Sequence, residues 1–152
     1  MTTNVLRSTH TLVIRRVIAA NPRQVFDAWT DPGILANWFA PAANFRTIVH
    51  ELDVRVGGRY RIEMLNPDGT PHTAIGEYRE IIPGERLAFT WKWAEQAAME
   101  DTLVTLEFLS RGTDTELVLS HSLFLTDDAR DHHGKGWDGC VARLAALFDR
   151  NA

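Results

Sequence analysis

Apolar and polar side chains alternate with a period of two over residues 45–122, and a stretch with helical spacing follows. Turn-forming residues interrupt the alternation at Gly57-Gly58, at residues 66–69, at Pro83-Gly84, near Glu95 and at Arg111-Gly112. Period-two alternation predicts strands with one buried face, and short turns predict antiparallel neighbours. We therefore predict a six-stranded antiparallel meander.

Each predicted strand carries its apolar side chains on one face. These side chains are Ile48, His50, Leu52 and Val54; Tyr60, Ile62 and Met64; Ala74, Gly76 and Tyr78; Leu87, Phe89, Trp91 and Trp93; Val104, Leu106 and Phe108; and Leu117, Leu119, His121 and Leu123. The opposite face is rich in Arg and Glu and is predicted to face solvent. A sheet that is apolar on one face needs a covering layer.

The segments on either side of the meander supply that layer. Residues 11–19 predict a first strand, Asn21-Pro22 predicts the start of a helix over Pro22–Thr30, and Asp31-Pro32 predicts a second helix over residues 32–39. Thr126 before two aspartates predicts a long helix ending near Asp149. Its apolar stripe consists of His133, Trp137, Cys140, Val141, Leu144, Leu147 and Phe148. We expect a polar tail over residues 1–10 and a single α+β domain over residues 11–152.

Charge and composition exclude several classes of function. The net charge is −4, and the 16 basic residues form no run, which argues against a nucleic-acid partner. No apolar run reaches the length of a membrane span, and residues 1–10 lack the apolar stretch of a signal peptide. The single Cys140 excludes an intramolecular disulfide, and we expect it to be a small buried side chain. A cytoplasmic location is the expectation, with a monomer or a homodimer both open.

Five motifs along the chain resemble a known family. They are Pro22-x-x-Val25-Phe26-x-Ala28-Trp29-Thr30-Asp31-Pro32, Trp38-Phe39-x-Pro41, Asp53-Val54-Arg55-Val56-Gly57-Gly58-Arg59-Tyr60, Gly76-Glu77-Tyr78-x-Glu80-Ile81-x-Pro83-x-Glu85-Arg86-Leu87, and His133-x-x-Gly136-Trp137. Together they resemble the bacterial family named for the activator of heat shock protein 90 ATPase, within the START-like or SRPBCC superfamily. The resemblance covers about residues 11 to 149.

That resemblance implies a helix-grip fold. In such a fold a curved antiparallel sheet, here of about seven strands, wraps a long C-terminal helix and leaves a cavity between sheet and helix. Members of the superfamily include lipid and hormone carriers, aromatase/cyclases and co-chaperones, so the resemblance leaves the function open. A co-chaperone-like regulator of a heat-shock ATPase is therefore one alternative.

Three histidines fall on predicted inward faces, namely His50, His121 and His133. Each could make one satisfied hydrogen bond in the core, or His121 and His133 could orient a polar group of a ligand. No His-x-x-x-His pair, nucleophile elbow or inward carboxylate pair is present. We therefore predict no metal, no cofactor and no catalytic residue. A cyclase-like or hydrolase-like enzyme using His121 or His133 as acid–base group remains a further alternative.

The load of inward aromatic side chains points to a binding cavity. Large flat side chains on a concave sheet either fill the core or line a pocket whose few polar atoms fix a ligand. Trp38, Phe39 and the loop over residues 95–100 are expected at its rim. We predict that the protein binds a small hydrophobic or aromatic molecule. The predicted ligand-binding residues are Trp38, Phe39, His50, Tyr60, Ile62, Tyr78, Phe89, Trp91, Trp93, Leu106, His121, His133 and Trp137.

Overall fold

One seven-stranded antiparallel sheet and three helices make up the fold of residues 10–149, the part of the chain that the computed structural model describes. The elements, in chain order, are β1 (Leu12–Ile18), α1 (Pro22–Thr30), α2 (Pro32–Trp38), β2 (Arg46–Leu52), β3 (Arg59–Leu65), β4 (Pro71–Ile82), β5 (Arg86–Trp93), β6 (Thr102–Arg111), β7 (Asp114–Ser122) and α3 (Asp127–Leu147). Residues 1–9 of the predicted polar tail lie outside the described residues.

The sheet has the strand order β1-β7-β6-β5-β4-β3-β2 and curves around helix α3. Strands β2 to β7 are the predicted meander, and β1 joins it by pairing with β7 at the far edge. The α+β helix-grip prediction is therefore confirmed. Within residues 10–149 no helix is both long enough and apolar enough to cross a membrane.

The helices begin where the sequence predicts them to begin. The Asn21 side chain accepts a hydrogen bond from the Gln24 backbone N–H (2.9 Å), and the Gln24 side chain accepts one from the Asn21 N–H (3.1 Å). Asp31 accepts hydrogen bonds from two N–H groups of the first turn of α2. Thr126 caps α3 in the same way, through a 3.1 Å bond from the Ala129 N–H. Each cap satisfies backbone donors that have no partner inside the helix.

The core lies between the inner face of the sheet and the three helices. Leu35, Leu106, Leu119 and Leu144 are each at most 1% exposed, and together they join helices α2 and α3 to the centre of the sheet. Cys140 is buried, as expected, and burial raises the pKa of its thiol to about 12. The thiol is therefore protonated at neutral pH.

The inward prediction for His50 is wrong. The register between β2 and β3 shifts between Val49 and Glu51, so a bulge displaces His50 from the ladder. Val49 pairs with the inward Ile62 and packs against the core, while His50 Nε2 lies 2.8 Å from Glu63 Oε1 on the outer face. A bulge adds one residue to the strand and so reverses the alternation of side chains between the two faces. Counting in twos along β2 therefore placed His50 on the wrong face.

A second correction concerns the end of β7. Leu123, predicted to point inward, is 63% exposed and adopts a positive φ of 72°. Its neighbour Phe124 is buried instead, 4.2 Å from the His121 ring. The left-handed backbone at Leu123 ends the alternation one residue early and turns Phe124 into the core.

Two glycines allow backbones to approach closely around the core. A Cβ on Gly76 of β4 would lie 2.0 Å from the Thr90 carbonyl oxygen and 2.7 Å from the Tyr60 ring. A Cβ on Gly139 of α3 would lie 2.2 Å from the Pro41 carbonyl oxygen. Gly139 therefore sets how closely α3 packs against the segment that follows α2.

Candidate functional site

A cavity of about 340 Å³ lies between helix α3 and the inner face of the β3–β5 part of the sheet. The segment between α2 and β2 forms one of its walls. The lining side chains and backbone come from Phe39, Pro41, Phe45, Met64, His72, Trp91, Trp93, His132, His133, Lys135, Gly136, Trp137 and Cys140. The volume lies within the usual range for small-molecule sites.

Aromatic rings form most of the cavity wall. Trp91 occupies the centre, with its ring centroid 5.0 Å from Trp137, 5.2 Å from Trp93 and 6.2 Å from Phe39. The Trp93 ring stacks on the His133 ring at 5.6 Å and 28°. A wall of this kind favours flat apolar molecules, because ring faces and edges offer large contact areas.

Behind this wall, a chain of four hydrogen-bonding groups is buried. The Trp137 indole N–H donates to His121 Nδ1 (2.9 Å), and the opposite ring nitrogen, Nε2, lies 2.7 Å from the Thr102 hydroxyl. That hydroxyl donates to the Trp91 carbonyl (2.7 Å), so it accepts from His121 Nε2–H. The chain therefore assigns His121 to the neutral tautomer with its proton on Nε2.

This chain makes His121 a part of the core. The side chain is fully buried, and burial, together with the neighbouring His133, lowers its pKa to about 2. Both ring nitrogens are engaged, so His121 has no free nitrogen for a ligand or for proton transfer. Its ring lies 5.3 Å from that of His133, but it does not line the cavity.

Unlike His121, His133 has only one of its two ring nitrogens hydrogen-bonded within the described residues. Its Nδ1 lies 2.8 Å from the Ala129 carbonyl oxygen, which can only accept, so Nδ1 carries the proton. Burial is the main cause that lowers its pKa, so the ring is neutral at neutral pH. Nε2 is buried and has no hydrogen-bond partner within the described residues. His133 therefore lines the cavity and holds an unpaired acceptor that is itself enclosed by the protein.

The Trp91 indole N–H is the matching unpaired donor. In the part of the chain that the structure describes, three buried side-chain nitrogens lack a hydrogen-bond partner. They are Trp91 Nε1, His133 Nε2 and Trp29 Nε1. Trp91 and His133 line the main cavity, whereas Trp29 does not. An unpaired buried polar group costs about 1–3 kcal/mol. Trp91 and His133 each carry such a cost, because the two nitrogens are enclosed by the protein although other atoms of both residues line the cavity.

Two exposed side chains and one half-buried histidine also line the cavity. Lys135 and His132 are exposed residues of α3, and His72 lies at the start of β4. No carboxylate residue lines the cavity. Within residues 10–149 no group of three or more His, Cys, Asp or Glu side chains is arranged to hold a metal ion.

The structure brings five of the predicted ligand-binding residues to this cavity: Phe39, Trp91, Trp93, His133 and Trp137. Four others, Tyr60, Ile62, Tyr78 and Phe89, line a separate space of about 20 Å³ together with Trp91. That space has room for about one water molecule. Tyr60 also donates its hydroxyl to the Thr90 carbonyl, and burial raises the pKa of both tyrosines.

The remaining four predicted residues lie away from both spaces. Trp38 is 1% exposed, and its indole N–H donates to the Ala28 carbonyl (3.0 Å). Leu106 is fully buried in β6, His121 belongs to the hydrogen-bonded chain, and His50 is on the outer face. Trp38 is therefore not at the cavity rim, and no residue of the 95–100 loop lines the cavity.

Sequence reasoning missed eight lining residues: Pro41, Phe45, Met64, His72, His132, Lys135, Gly136 and Cys140. A signal was available for some of them. His72 pairs with the inward Met64 and shares its parity with Ala74, so extending the β4 pattern by two residues would have found it. Gly136 and Cys140 lie one turn from His133 and Trp137 on the same helix.

Several solved structures are similar to this chain. A protein of Chromobacterium violaceum is 31% identical, with a TM-score of 0.84 over 91% of this chain and 96% of that one. A protein of Rhizobium leguminosarum is 27% identical, with a TM-score of 0.74 over 92% of this chain and 94% of the other. A protein of Silicibacter pomeroyi, at 23% identity and a TM-score of 0.79 over 90% and 96%, shares the fold.

No curated protein sequence matches the chain. The sequence pattern of one family, described as activator of Hsp90 ATPase homolog 1-like protein, matches residues 19–149. This range includes the cavity and every helix and strand except β1. The chain belongs to the family of activator of Hsp90 ATPase homolog 1-like proteins.

Proposed function

We propose that this protein binds a small, largely apolar molecule in the cavity between α3 and the sheet. The observation that carries the proposal is a space of about 340 Å³ lined mainly by aromatic and aliphatic side chains. That volume is roughly twice the ~150 Å³ apolar cavity that holds a benzene molecule in another protein. A ligand with two fused or linked rings fits this volume.

The packing around the cavity supports a preformed site. The indole of Trp137 is hydrogen-bonded to His121 in the core, and the ring of Trp93 stacks on His133. Close contact between Gly139 and Pro41 fixes α3 against the segment that carries Phe39. Side chains held in this way lose little freedom when a ligand enters, so less binding free energy is spent on ordering them.

The sequence also predicts two alternative functions, an enzyme acting on such a ligand and a co-chaperone-like regulator. The enzymatic one used His121 or His133 as the acid–base group, and His121 has both ring nitrogens hydrogen-bonded. An enzyme acting on the bound molecule would therefore use His133. The co-chaperone-like role is the one that the family description names.

The proposal can be tested with naphthalene as the probe and the five Trp indole N–H signals as reporters. In ¹H–¹⁵N NMR spectra of the ¹⁵N-labelled protein, we expect naphthalene to shift the indole signals of Trp91, Trp93 and Trp137, which line the cavity. The signals of Trp29 and Trp38, which do not, should move much less. A native mass spectrum against the bare 17.2 kDa chain would also report any molecule retained from expression.

Gly136 provides a variant that fills the cavity without removing a contact. A Cβ at this position meets nothing within 4 Å, and Gly136 lines the cavity. Gly136→Leu should weaken naphthalene binding more than tenfold, and thermal stability should not fall, because leucine favours helix over glycine. Gly136→Ala is the control, with the same change in backbone freedom and little lost volume. Unchanged binding by Gly136→Leu would contradict the proposed site.

A further inference from the structure

We propose that the molecule bound in this cavity is a carboxylic acid with an apolar body, and that its carboxylate forms an ion pair with Lys135 at the mouth of the cavity. This inference rests on the proposed function and specifies the chemical class of the ligand. Its basis is that Lys135 lines the cavity, is exposed to solvent, and has no ion-pair or hydrogen-bond partner within residues 10–149.

The exposure of the lining residues distinguishes a deep end of the cavity from its mouth. Five apolar or aromatic residues are each at most 5% exposed and form the deep end: Phe39, Met64, Trp91, Trp137 and Cys140. Lys135 and His132 line the same cavity but are exposed, so they lie where it opens to solvent. A ligand with an apolar body and one polar group at its end matches this arrangement.

The charge at the mouth is positive. Among the described residues that line the cavity, Lys135 alone carries a fixed charge at neutral pH, and none is a carboxylate. Asp131 and Asp138 lie one turn before and after Lys135 on α3, but neither forms an ion pair with it within the described residues. Asp131 instead lies 3.0 Å from the Arg130 guanidinium. The Lys135 ammonium therefore lacks a counter-ion from its own helix.

The lysine side chain suits this position. Its methylene stem can lie along apolar surface while the ammonium, which carries three donors on a flexible chain, stays at the solvent boundary. A carboxylate that meets it there keeps part of its hydration, whereas a carboxylate at the deep end would be buried among apolar side chains at a large cost. We therefore expect the rings of the ligand inside and its carboxylate outside.

The single charge of Lys135 also discriminates between polar groups. A neutral amide accepts a hydrogen bond from the ammonium, but it gains no attraction between opposite charges. An amine is repelled by the like charge. A phosphate monoester carries about two negative charges at neutral pH, of which one lysine matches only one. A monoanionic carboxylate is the group that Lys135 matches in both charge and hydrogen bonding.

Three naphthalene compounds test the proposal: naphthalene, 2-naphthoate and 2-naphthamide. The carboxamide has the shape of the carboxylate without its charge, so their affinity ratio isolates the ion pair from the apolar contacts. Isothermal titration at neutral pH and low ionic strength should give 2-naphthoate an affinity about threefold or more above that of 2-naphthamide. High salt should reduce this ratio, because it screens an exposed ion pair.

Substitutions at the two lysines of the chain assign the effect to one side chain. Lys135→Met removes the charge and keeps a long apolar stem, so the ratio should fall to about one while naphthalene binds as before. Lys135→Arg keeps the charge and should keep the preference for 2-naphthoate. Lys92→Met is the matched control, because it removes the same charge from a residue that does not line the cavity. It should leave the ratio unchanged.

The outcomes distinguish this inference from the proposed function. If naphthalene binds and shifts the cavity indoles, but 2-naphthoate binds no more tightly than 2-naphthamide, the carboxylic acid assignment is wrong and the apolar site stands. If Lys135→Met keeps the wild-type ratio, the carboxylate is held elsewhere and the assignment to Lys135 is wrong. If none of the three compounds binds, the proposed function fails together with the inference.

Discussion

The buried hydrogen-bonded chain predicts a large effect for a substitution that hardly changes shape. Thr102→Val replaces a hydroxyl by a methyl group in a side chain that is 4% exposed. His121 Nε2–H would then be left without an acceptor, at about 1–3 kcal/mol, and the bond to the Trp91 carbonyl would be lost, at about 0.5–1.5 kcal/mol. The more apolar valine offsets part of this, so we expect the free energy of unfolding to fall by about 2–3 kcal/mol.

Urea unfolding followed by circular dichroism measures this change directly, provided that the m-value is the same for both proteins. Thr105→Val on the same strand is the control, because Thr105 is half-buried on the outer face. It should alter the free energy of unfolding by less than about 0.5 kcal/mol. A Thr102→Val protein as stable as the control would refute the hydrogen-bonded chain.

A double-mutant cycle tests whether the chain acts as one unit. Trp137→Phe removes the donor to His121 Nδ1, and Thr102→Val removes the acceptor from Nε2. Because both variants act on the same ring, we expect a coupling free energy of about 0.5–3 kcal/mol. Purely additive effects would show that the two hydrogen bonds are independent.

Three further predictions concern backbone fit and pH. Gly139→Ala should lower the free energy of unfolding by more than about 2 kcal/mol, because its Cβ would meet the Pro41 carbonyl oxygen at 2.2 Å. Gly134→Ala is the control: its Cβ would make only a 3.9 Å contact, so the free energy of unfolding should rise by up to about 1 kcal/mol. Urea unfolding measures both changes. His121 has a folded pKa of about 2, below its unfolded value, so its contribution to stability is complete above about pH 6.5 and is lost as pH falls. The loss should reach about 1.4 kcal/mol per pH unit below pH 6, and His121→Leu should reduce that slope; an unchanged slope would contradict the assignment. Leu123→Asn should raise the melting temperature, because asparagine tolerates the positive φ of 72° better than leucine. A lower melting temperature would show that the Leu123 side chain stabilises the fold by more than its backbone strain costs.

The local pattern of the sequence predicted most of the fold. Helix α1 has its predicted bounds, and α2 and α3 begin where Asp31 and Thr126 were expected to cap them. These signals are readable because a cap and the N–H groups that it satisfies lie within about four residues of each other. Strand parity is equally local, and it failed at His50 and Leu123, where a bulge and a left-handed residue changed the alternation.

In the candidate site too, local periodicity accounts for some features and tertiary packing for the others. Periodicity alone places Trp91, His121 and His133 on apolar faces, since period two in a strand and period 3.6 in a helix assign a face to each side chain. The hydrogen bonds of these side chains follow from tertiary packing: both ring nitrogens of His121 are hydrogen-bonded, while Trp91 Nε1 and His133 Nε2 have no partner within the described residues. Which atoms meet depends on how α3 and the segment after α2 dock onto the sheet. That docking is set by contacts between residues far apart in the chain, such as Gly139 with Pro41, which periodicity does not encode.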